Sequence, residues 1–246
     1  MSVLLTTASF IFDSNIAIEN YEKIILNSLN SEFPFVNKVT LPANAPTEIP
    51  RFILSSHHGF STIVITSNMI QLTTRFNNEY KVDWEGKCKP YLEKKISLLY
   101  KFFKESGINI KYSGVTINAT TQTDIDSVKI IENKFIKKAT ISNLPLYDVL
   151  LKQTFVFEDK YFVNLQLQNQ RFTQNDLVVR NTVFGLPENP NIIGILLDVN
   201  DRKIANSEAN YFSSKNSFDK ILSIINKIIN YGFDNLINGE ETVCLS

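Results

Sequence analysis

Apolar and polar residues alternate along several short stretches of the chain, a pattern typical of β-strands with one buried face. The first stretch, residues 2–13, precedes Ile18, Tyr21, Ile25 and Leu29, whose spacing places them on one face of a helix. The β-rich stretches that follow are "NKVTL", "RFILSS", "STIVITS" and "MIQLTTRF". The pattern therefore predicts a strand, a helix and about four further strands.

A second helix is predicted over residues 90–106, where Leu92, Ile96, Leu99 and Phe103 form an apolar stripe. Gly107 follows it as a natural C-cap. Four lysines with glutamates between them flank the stripe, and we interpret them as a solvent-exposed helix face. These lysines are Lys94, Lys95, Lys101 and Lys104.

The remainder of the chain shows a similar order of elements. Apolar alternation in "INIKYSGVTINATT" changes phase across Ser113-Gly114, which predicts a β-bulge in a long strand. A helix in "DIDSVKIIENKFI" and a hairpin turning at Glu158-Asp159 follow. Further strands are predicted in "DLVVRNTVF" and "IIGILLDV".

The longest predicted helix lies near the C-terminal end of the sequence, in "NSFDKILSIINKIINYGFDNLI". Asn216 and Asp219 resemble a capping box at its start. One side of this helix is predicted to face the core. Its residues are Phe218, Leu222, Ile225, Ile229, Gly232 and Leu236.

These elements indicate an α+β fold built from two β-α-β4-α-like halves, residues 1–107 and 108–246, packed together as one globular unit. Side by side, the halves would form one curved antiparallel sheet with helices on one face, as in TATA-binding-protein-like folds. A helix-grip fold, in which the sheet wraps around the last helix, is the alternative. The first arrangement is favoured because each half has its own long closing helix.

Two of the predicted strands suggest what the uncovered face of such a sheet carries. In "MIQLTTR" and "YFVNLQLQ", apolar residues alternate with amide, hydroxyl and guanidinium side chains. A sheet that packs on the core with one face and exposes the other face to solvent gives the same pattern. We predict that the polar side is a surface for binding a partner protein. Its residues are Gln71, Thr73, Arg75, Asn164, Gln166 and Gln168.

Charge and composition argue against several classes of protein, although a balanced total charge is compatible with a local basic patch. The chain has 25 basic and 25 acidic residues, whereas a duplex nucleic-acid binder needs basic surface. The sequence begins without a signal-peptide pattern and has no apolar run long enough for a membrane span, so a cytoplasmic location is expected. Cys88 and Cys244 do not form a CxxC pair, and we expect neither a metal site nor a cofactor.

Residues suited to catalysis are few. The sequence lacks the dinucleotide, P-loop, zinc-protease and serine-hydrolase motifs. Its two histidines, His57 and His58, stand beside Gly59 between two predicted strands, which favours a surface turn over a ligand pair. The alternative function is an enzyme or small-ligand-binding protein with a site between the halves or under the last helix, around Asp198 and Arg75.

Several stretches together resemble a sporadically distributed bacterial family of conserved hypothetical proteins of about this length. They are "PRFILSSHHGFSTIVITSNMIQLTTRF", "YKVDWEGKCKPYLEKKISLLYKFF", "INIKYSGVTIN", "IIGILLDVN" and "FDKILSIINKIINYGFDNLI". The resemblance spans most of the chain and implies no catalytic residues. The sporadic distribution of this family suggests mobile or defence-associated genes.

The expectation from sequence is therefore a non-enzymatic, cytoplasmic protein-interaction component, such as an antitoxin, an immunity protein or a defence-accessory protein. Its partner would be another protein, for example one encoded by a neighbouring gene. Association of two copies of the chain as a homodimer is also consistent with the sequence.

Overall fold

The alternating stretches pair into one antiparallel sheet in the computed structural model, which describes residues 1–42, 45–136, 144, 146–170 and 191–238. Its nine strands confirm the predicted α+β class with a large antiparallel sheet. The strands are β1 (Ser2–Phe12), β2 (Phe35–Lys38), β3 (Phe52–Ser55), β4 (Ser61–Ile65), β5 (Met69–Arg75), β6 (Ile110–Gln122), β7 (Leu150–Phe157), β8 (Tyr161–Gln170) and β9 (Ile192–Asn200).

The strand order is β2-β3-β4-β5-β1-β6-β9-β8-β7. The five strands that precede residue 107 thus lie on one side of the sheet, and the four that follow it lie on the other. The two sides meet where β1 pairs with β6 in antiparallel register, with Thr7 opposite Thr116. β1 and β6 are therefore the two middle strands of the sheet, with four strands beyond β1 and three beyond β6.

The helices are α1 (Glu22–Leu29), α2 (Lys89–Ser106), α3 (Ser127–Phe135), α4 (Arg202–Ser207), α5 (Lys215–Tyr231) and α6 (Phe233–Asn238). A 3-10 turn over Ile18–Tyr21 precedes α1, and a π-helical turn over Trp84–Cys88 precedes α2. No helix in the described ranges combines the length and apolar character that crossing a membrane requires.

One core joins the strands and helices of both halves. Phe10 of β1 stacks on Phe218 of α5 with the ring centroids 5.2 Å apart, and it contacts Phe103 of α2 at the same distance. Trp84, just before α2, donates a hydrogen bond from Nε1 to Oδ1 of Asn226 in α5 at 3.0 Å. The two long helices therefore pack over the central strands as parts of one apolar layer.

The structure confirms the inner stripe of α2, whose four predicted residues are all buried. Gly107 has φ +67°, the left-handed conformation that suits glycine at a helix end. The interpretation of the lysine face is wrong at one position, because Lys95 is buried and its ammonium group donates to Glu32 at 2.5 Å. Lys94 binds the same carboxylate, and hydrogen bonds from the two ammonium groups lower the pKa of Glu32 to about 2.

The last predicted helix is divided in two. Gly232 has φ +90°, and it separates α5 from α6. The stripe residues Phe218, Leu222, Ile225 and Ile229 are buried as expected. The capping prediction is wrong, because Ser214 is the N-cap and accepts from the Ser217 amide, while Asp219 pairs with Lys215.

Both predicted turns are present. His57 and His58 are exposed in the β3–β4 connection, and Gly59 has φ +67°. Glu158 and Asp159 both have positive φ angles, 51° and 53°, as a tight two-residue hairpin turn requires.

The predicted bulge in β6 lies slightly earlier than expected. The register with β1 shifts between the pairs Ile11–Tyr112 and Phe12–Ile110, so the extra residue is Lys111. The predicted strand "DLVVRNTVF" falls at 176–184, outside the described residues.

Candidate functional site: the open face of the sheet

The helices cover one face of the sheet, and the opposite face is the candidate site. We call it the open face and define it by the outward residues of seven strands. They are Thr62, Val64; Met69, Gln71, Thr73, Arg75; Leu5, Thr7, Ser9, Ile11; Gly114, Thr116, Asn118, Thr120; Ile192, Gly194, Leu196, Asp198, Asn200; Phe162, Asn164, Gln166, Gln168, Gln170; and Leu150, Lys152, Thr154, Val156.

The six residues predicted to bind a partner all belong to the open face. Arg75 is exposed, and the other five are half-buried between buried neighbours such as Ile70, Leu72 and Val163. The two groups of three are not adjacent. Strands β1, β6 and β9 separate β5 from β8, and strand spacing puts the groups about 19 Å apart.

A row of polar side chains connects the two groups across the sheet. Its members occupy matching register positions on seven successive strands, from β4 to β7. They are Thr62, Thr73, Thr7, Thr116, Asp198, Asn164 and Thr154. Sequence reasoning missed Thr7 and Thr116, although the alternation in β1 and β6 contains the signal that would have found them.

Asp198 of β9 is the hydrogen-bonding centre of this row. Its carboxylate accepts from Thr116 Oγ1 at 2.9 Å, from Asn164 Nδ2 at 2.8 Å and from Asn200 Nδ2 at 2.8 Å. Asn164 is fixed further because its Oδ1 accepts from Thr154 Oγ1 at 2.7 Å. Asp198, around which the alternative hypothesis places an enzyme or ligand site, is thus held by three protein donors, an arrangement that fixes side-chain positions.

Gly114 allows Asn200 to take part in this network. A Cβ at position 114 would lie 2.7 Å from Asn200 Cβ and 3.2 Å from the carbonyl oxygen of Val199, too close for any other residue. The glycine therefore permits the close approach of β6 to β9 beside Asp198.

A shallow depression of about 380 Å³ lies next to Asp198. It is wholly within the second half of the sheet and does not extend to Arg75. Its lining residues are Thr116, Lys152, Asn164, Leu165, Gln166, Leu196 and Asp198. The lining offers amides, a hydroxyl, an ammonium group and a carboxylate, which suit hydrogen bonding to a polar ligand or to a peptide.

Chemistry elsewhere in the described residues is sparse. Cys88 is buried, its thiol lies 3.1 Å from the carbonyl oxygen of Tyr80, and burial raises its pKa to about 12. A thiol with that pKa is a poor nucleophile. Within the described ranges, no three His, Cys, Asp or Glu side chains come together as a metal site.

The electrostatics of the open face are simple. Its charged side chains are Arg75, Lys152 and Asp198, and the positions between them are neutral.

In comparisons with known proteins, no family model matches the chain, and no curated protein matches its sequence significantly.

Proposed function

We propose that the chain is a non-enzymatic, cytoplasmic protein-interaction component that binds another protein through the open face. The observation that carries this proposal is a polar, nearly uncharged surface that runs across seven strands opposite the helices. Non-obligate protein interfaces have such a mixture of polar and scattered apolar residues. The internally bonded Asp198 network would give the surface a fixed shape before binding, which lowers the entropic cost of association.

Duplex nucleic acid is a poor candidate for the partner. Its affinity for proteins comes mainly from many phosphate contacts with Lys and Arg. The open face offers Arg75 and Lys152 for this purpose, separated by four intervening strands. A protein partner requires no such density of positive charge.

The proposal also includes the division of the fold into two similar halves. The strand order is nearly symmetric about the β1–β6 pair, and α2 and α5 close the two sides in the same way, which supports two TATA-binding-protein-like halves over a helix-grip fold. The proposed role as an antitoxin, immunity or defence-accessory protein rests on the resemblance of the sequence to sporadically distributed bacterial proteins. A partner encoded by a neighbouring gene fits that role, and a homodimer would also use the open face.

The depression beside Asp198 supports a second candidate function, binding of a small polar ligand. A single small ligand would not contact both Asp198 and Arg75, because three strand spacings, about 14 Å, separate their strands. The alternative thus concerns the second half of the sheet, with Lys152, Asn164 and Asp198 as its polar groups.

Affinity purification of the intact chain from its native cells, followed by mass spectrometry, distinguishes the two functions. A stoichiometric protein supports the first function, and a bound small molecule whose retention depends on Asp198 supports the second. With the partner in hand, Arg75→Ala is expected to weaken binding by about 1–3 kcal/mol, since an exposed Arg is a common binding hot spot.

The same Arg75→Ala variant is expected to keep its stability within about 0.5 kcal/mol of wild type, because the side chain is exposed. Lys104→Ala, an exposed cation on α2, is the matched control and should bind like wild type. Unchanged affinity of Arg75→Ala in a titration would place the binding surface elsewhere.

A further inference from the structure

Two cations of the open face have no counter-ion among the described residues. Arg75 and Lys152 are exposed, and no described carboxylate lies within ion-pair distance of either. Many lysines elsewhere do have carboxylate partners: Lys38, Lys87, Lys89, Lys94, Lys95, Lys101, Lys111, Lys215 and Lys220. The carboxylate of the open face, Asp198, already accepts from three protein donors. Among the described residues, the face therefore presents two cations without an ion-pair partner and one carboxylate, Asp198, which is hydrogen-bonded to three neutral donors.

The two cations occupy the two ends of one register row. Leu5 is opposite Arg75, and Gln166 is opposite Lys152. The full row is Arg75, Leu5, Asn118, Leu196, Gln166 and Lys152. Five strand spacings put its ends about 24 Å apart. The four residues between them are uncharged and half-buried, and Asn118 and Gln166 offer amide groups to a ligand backbone.

Sheet twist limits the shape of what can contact both ends. Successive strands rotate by about 20–25°, so the outward directions at β5 and β7 differ by about 100° or more. A flat, rigid surface would not meet both cations. An extended chain can follow the twist, and seven or eight extended residues span about 24 Å.

We infer that the partner contributes an extended acidic peptide segment, which crosses the open face along this row and places carboxylates against Arg75 and Lys152. The inference rests on the proposed function and specifies the chemistry of the partner. Discrete carboxylates fit two separated cations, whereas a nucleic-acid backbone would leave most of its phosphates unpaired between them.

The test is an NMR titration, at low salt, of synthetic peptides into the whole chain. The probe is Glu-Glu-(Ser)6-Glu-Glu, compared with a peptide that has Lys in place of Glu and one in which the four Glu are contiguous. The acidic, spaced peptide is expected to bind best and to shift the resonances of Asn118 and Gln166. Arg75→Gln and Lys152→Gln should each weaken it about 2- to 5-fold, the range of exposed ion pairs, and salt should weaken it further. Lys104→Gln, which removes a charge from the helix layer, should bind like wild type.

The inference would be overturned by no binding of the acidic peptide, by equal binding of the Lys peptide, or by a loss of binding in Lys104→Gln as large as in Arg75→Gln. Stronger binding of a duplex DNA that depends on Arg75 would also overturn it in favour of nucleic acid.

A blocking variant separates this inference from the proposed function. Asn118→Trp places a bulky neutral ring at the centre of the row, and Gln166→Trp is a second choice if the first variant misfolds. If either blocks the purified partner while Arg75→Gln and Lys152→Gln do not, the open face binds a protein but not through acidic groups. If neither correctly folded variant affects the partner, the proposed function itself is wrong.

Discussion

Asp198 and Asp201 are three residues apart in the chain but lie on opposite faces of the sheet. Asp198 is half-buried on the open face and accepts from the side chains of Thr116, Asn164 and Asn200. Asp201 is completely buried on the helix-covered face. The same residue type thus anchors a network on each face, one within reach of water and one shielded from it.

The buried network joins three parts of the chain. Asp201 Oδ1 accepts from the Ser113 amide at 2.7 Å, and Oδ2 accepts from the Tyr211 hydroxyl at 2.7 Å and the Ser213 hydroxyl at 2.5 Å. These contacts connect β6 to the segment that leads into α5. Burial raises the pKa of Asp201, and its hydrogen bonds partly oppose that shift.

The comparison indicates that the covered face contributes more to stability than the open face, on which the proposed function places binding. Removing a group from the covered face leaves partners that water cannot reach, whereas on the open face water can replace it. Variants on the two faces should therefore differ in stability by amounts that can be measured, and matched pairs test this division.

Ile225→Asp is expected to have the largest effect. Ile225 is fully buried in α5, and an unpaired carboxylate there costs several kcal/mol of desolvation. We expect insoluble or unfolded protein, while Ser223→Asp at an exposed position of the same helix should remain soluble and folded. A soluble Ile225→Asp protein with a wild-type melting temperature would contradict the assignment of the covered face.

Asp201→Ala should destabilise the fold by about 3 kcal/mol, because it leaves the Ser113 amide and two hydroxyl groups without their acceptor. The loss should also depend on pH. Since the pKa of Asp201 is raised in the folded state, its contribution is greatest below the ordinary carboxyl pKa and declines as pH rises through the raised value. Urea unfolding of wild type and variant should show a larger difference near about pH 4 than at neutral pH. A difference that shrinks toward low pH would contradict this account.

Asp198→Ala sharpens the comparison most directly, since it removes the same carboxylate from the other face. We expect a loss of about 1 kcal/mol, smaller than for Asp201→Ala, because water can hydrate the half-exposed donors Asn164 and Asn200. Urea unfolding of the two variants under one condition provides the measurement. Equal losses would mean that the open face is as shielded as the covered one, and therefore that another part of the chain covers it.

Local sequence patterns predict the elements but not the network between them. Alternation in β5 and β8 places Gln71 and Gln166 on the open face, and helical spacing places Leu92 and Ile225 in the core. These assignments depend only on residues close in the chain.

The central position of Asp198 depends on the pairing of β9 with both β6 and β8. Its donors Thr116 and Asn164 are 82 and 34 residues away in sequence. The burial of Lys95 depends in the same way on Glu32, which is 63 residues away. Periodicity carries no information about which strands or helices become neighbours, so these contacts could not be predicted from it.

The double variant His57→Asn with His58→Asp should have the smallest effect, because its site belongs to neither face. Both histidines are exposed in the β3–β4 turn, and Gly59, which supplies the positive φ angle there, is retained. The ring of His57 lies 6.2 Å from that of Phe35, and the ring of His58 lies 6.2 Å from that of Phe60, so the variant loses only peripheral ring contacts. Asn and Asp are favourable turn residues, and we expect the free energy of unfolding to change by no more than about 0.5 kcal/mol.

Partner binding should also be unchanged, because the turn lies at the end of the strands and outside the row that joins Arg75 to Lys152. Thermal melts and the partner titration measure both quantities, and loss of binding in a stably folded double variant would extend the functional surface to the histidine turn.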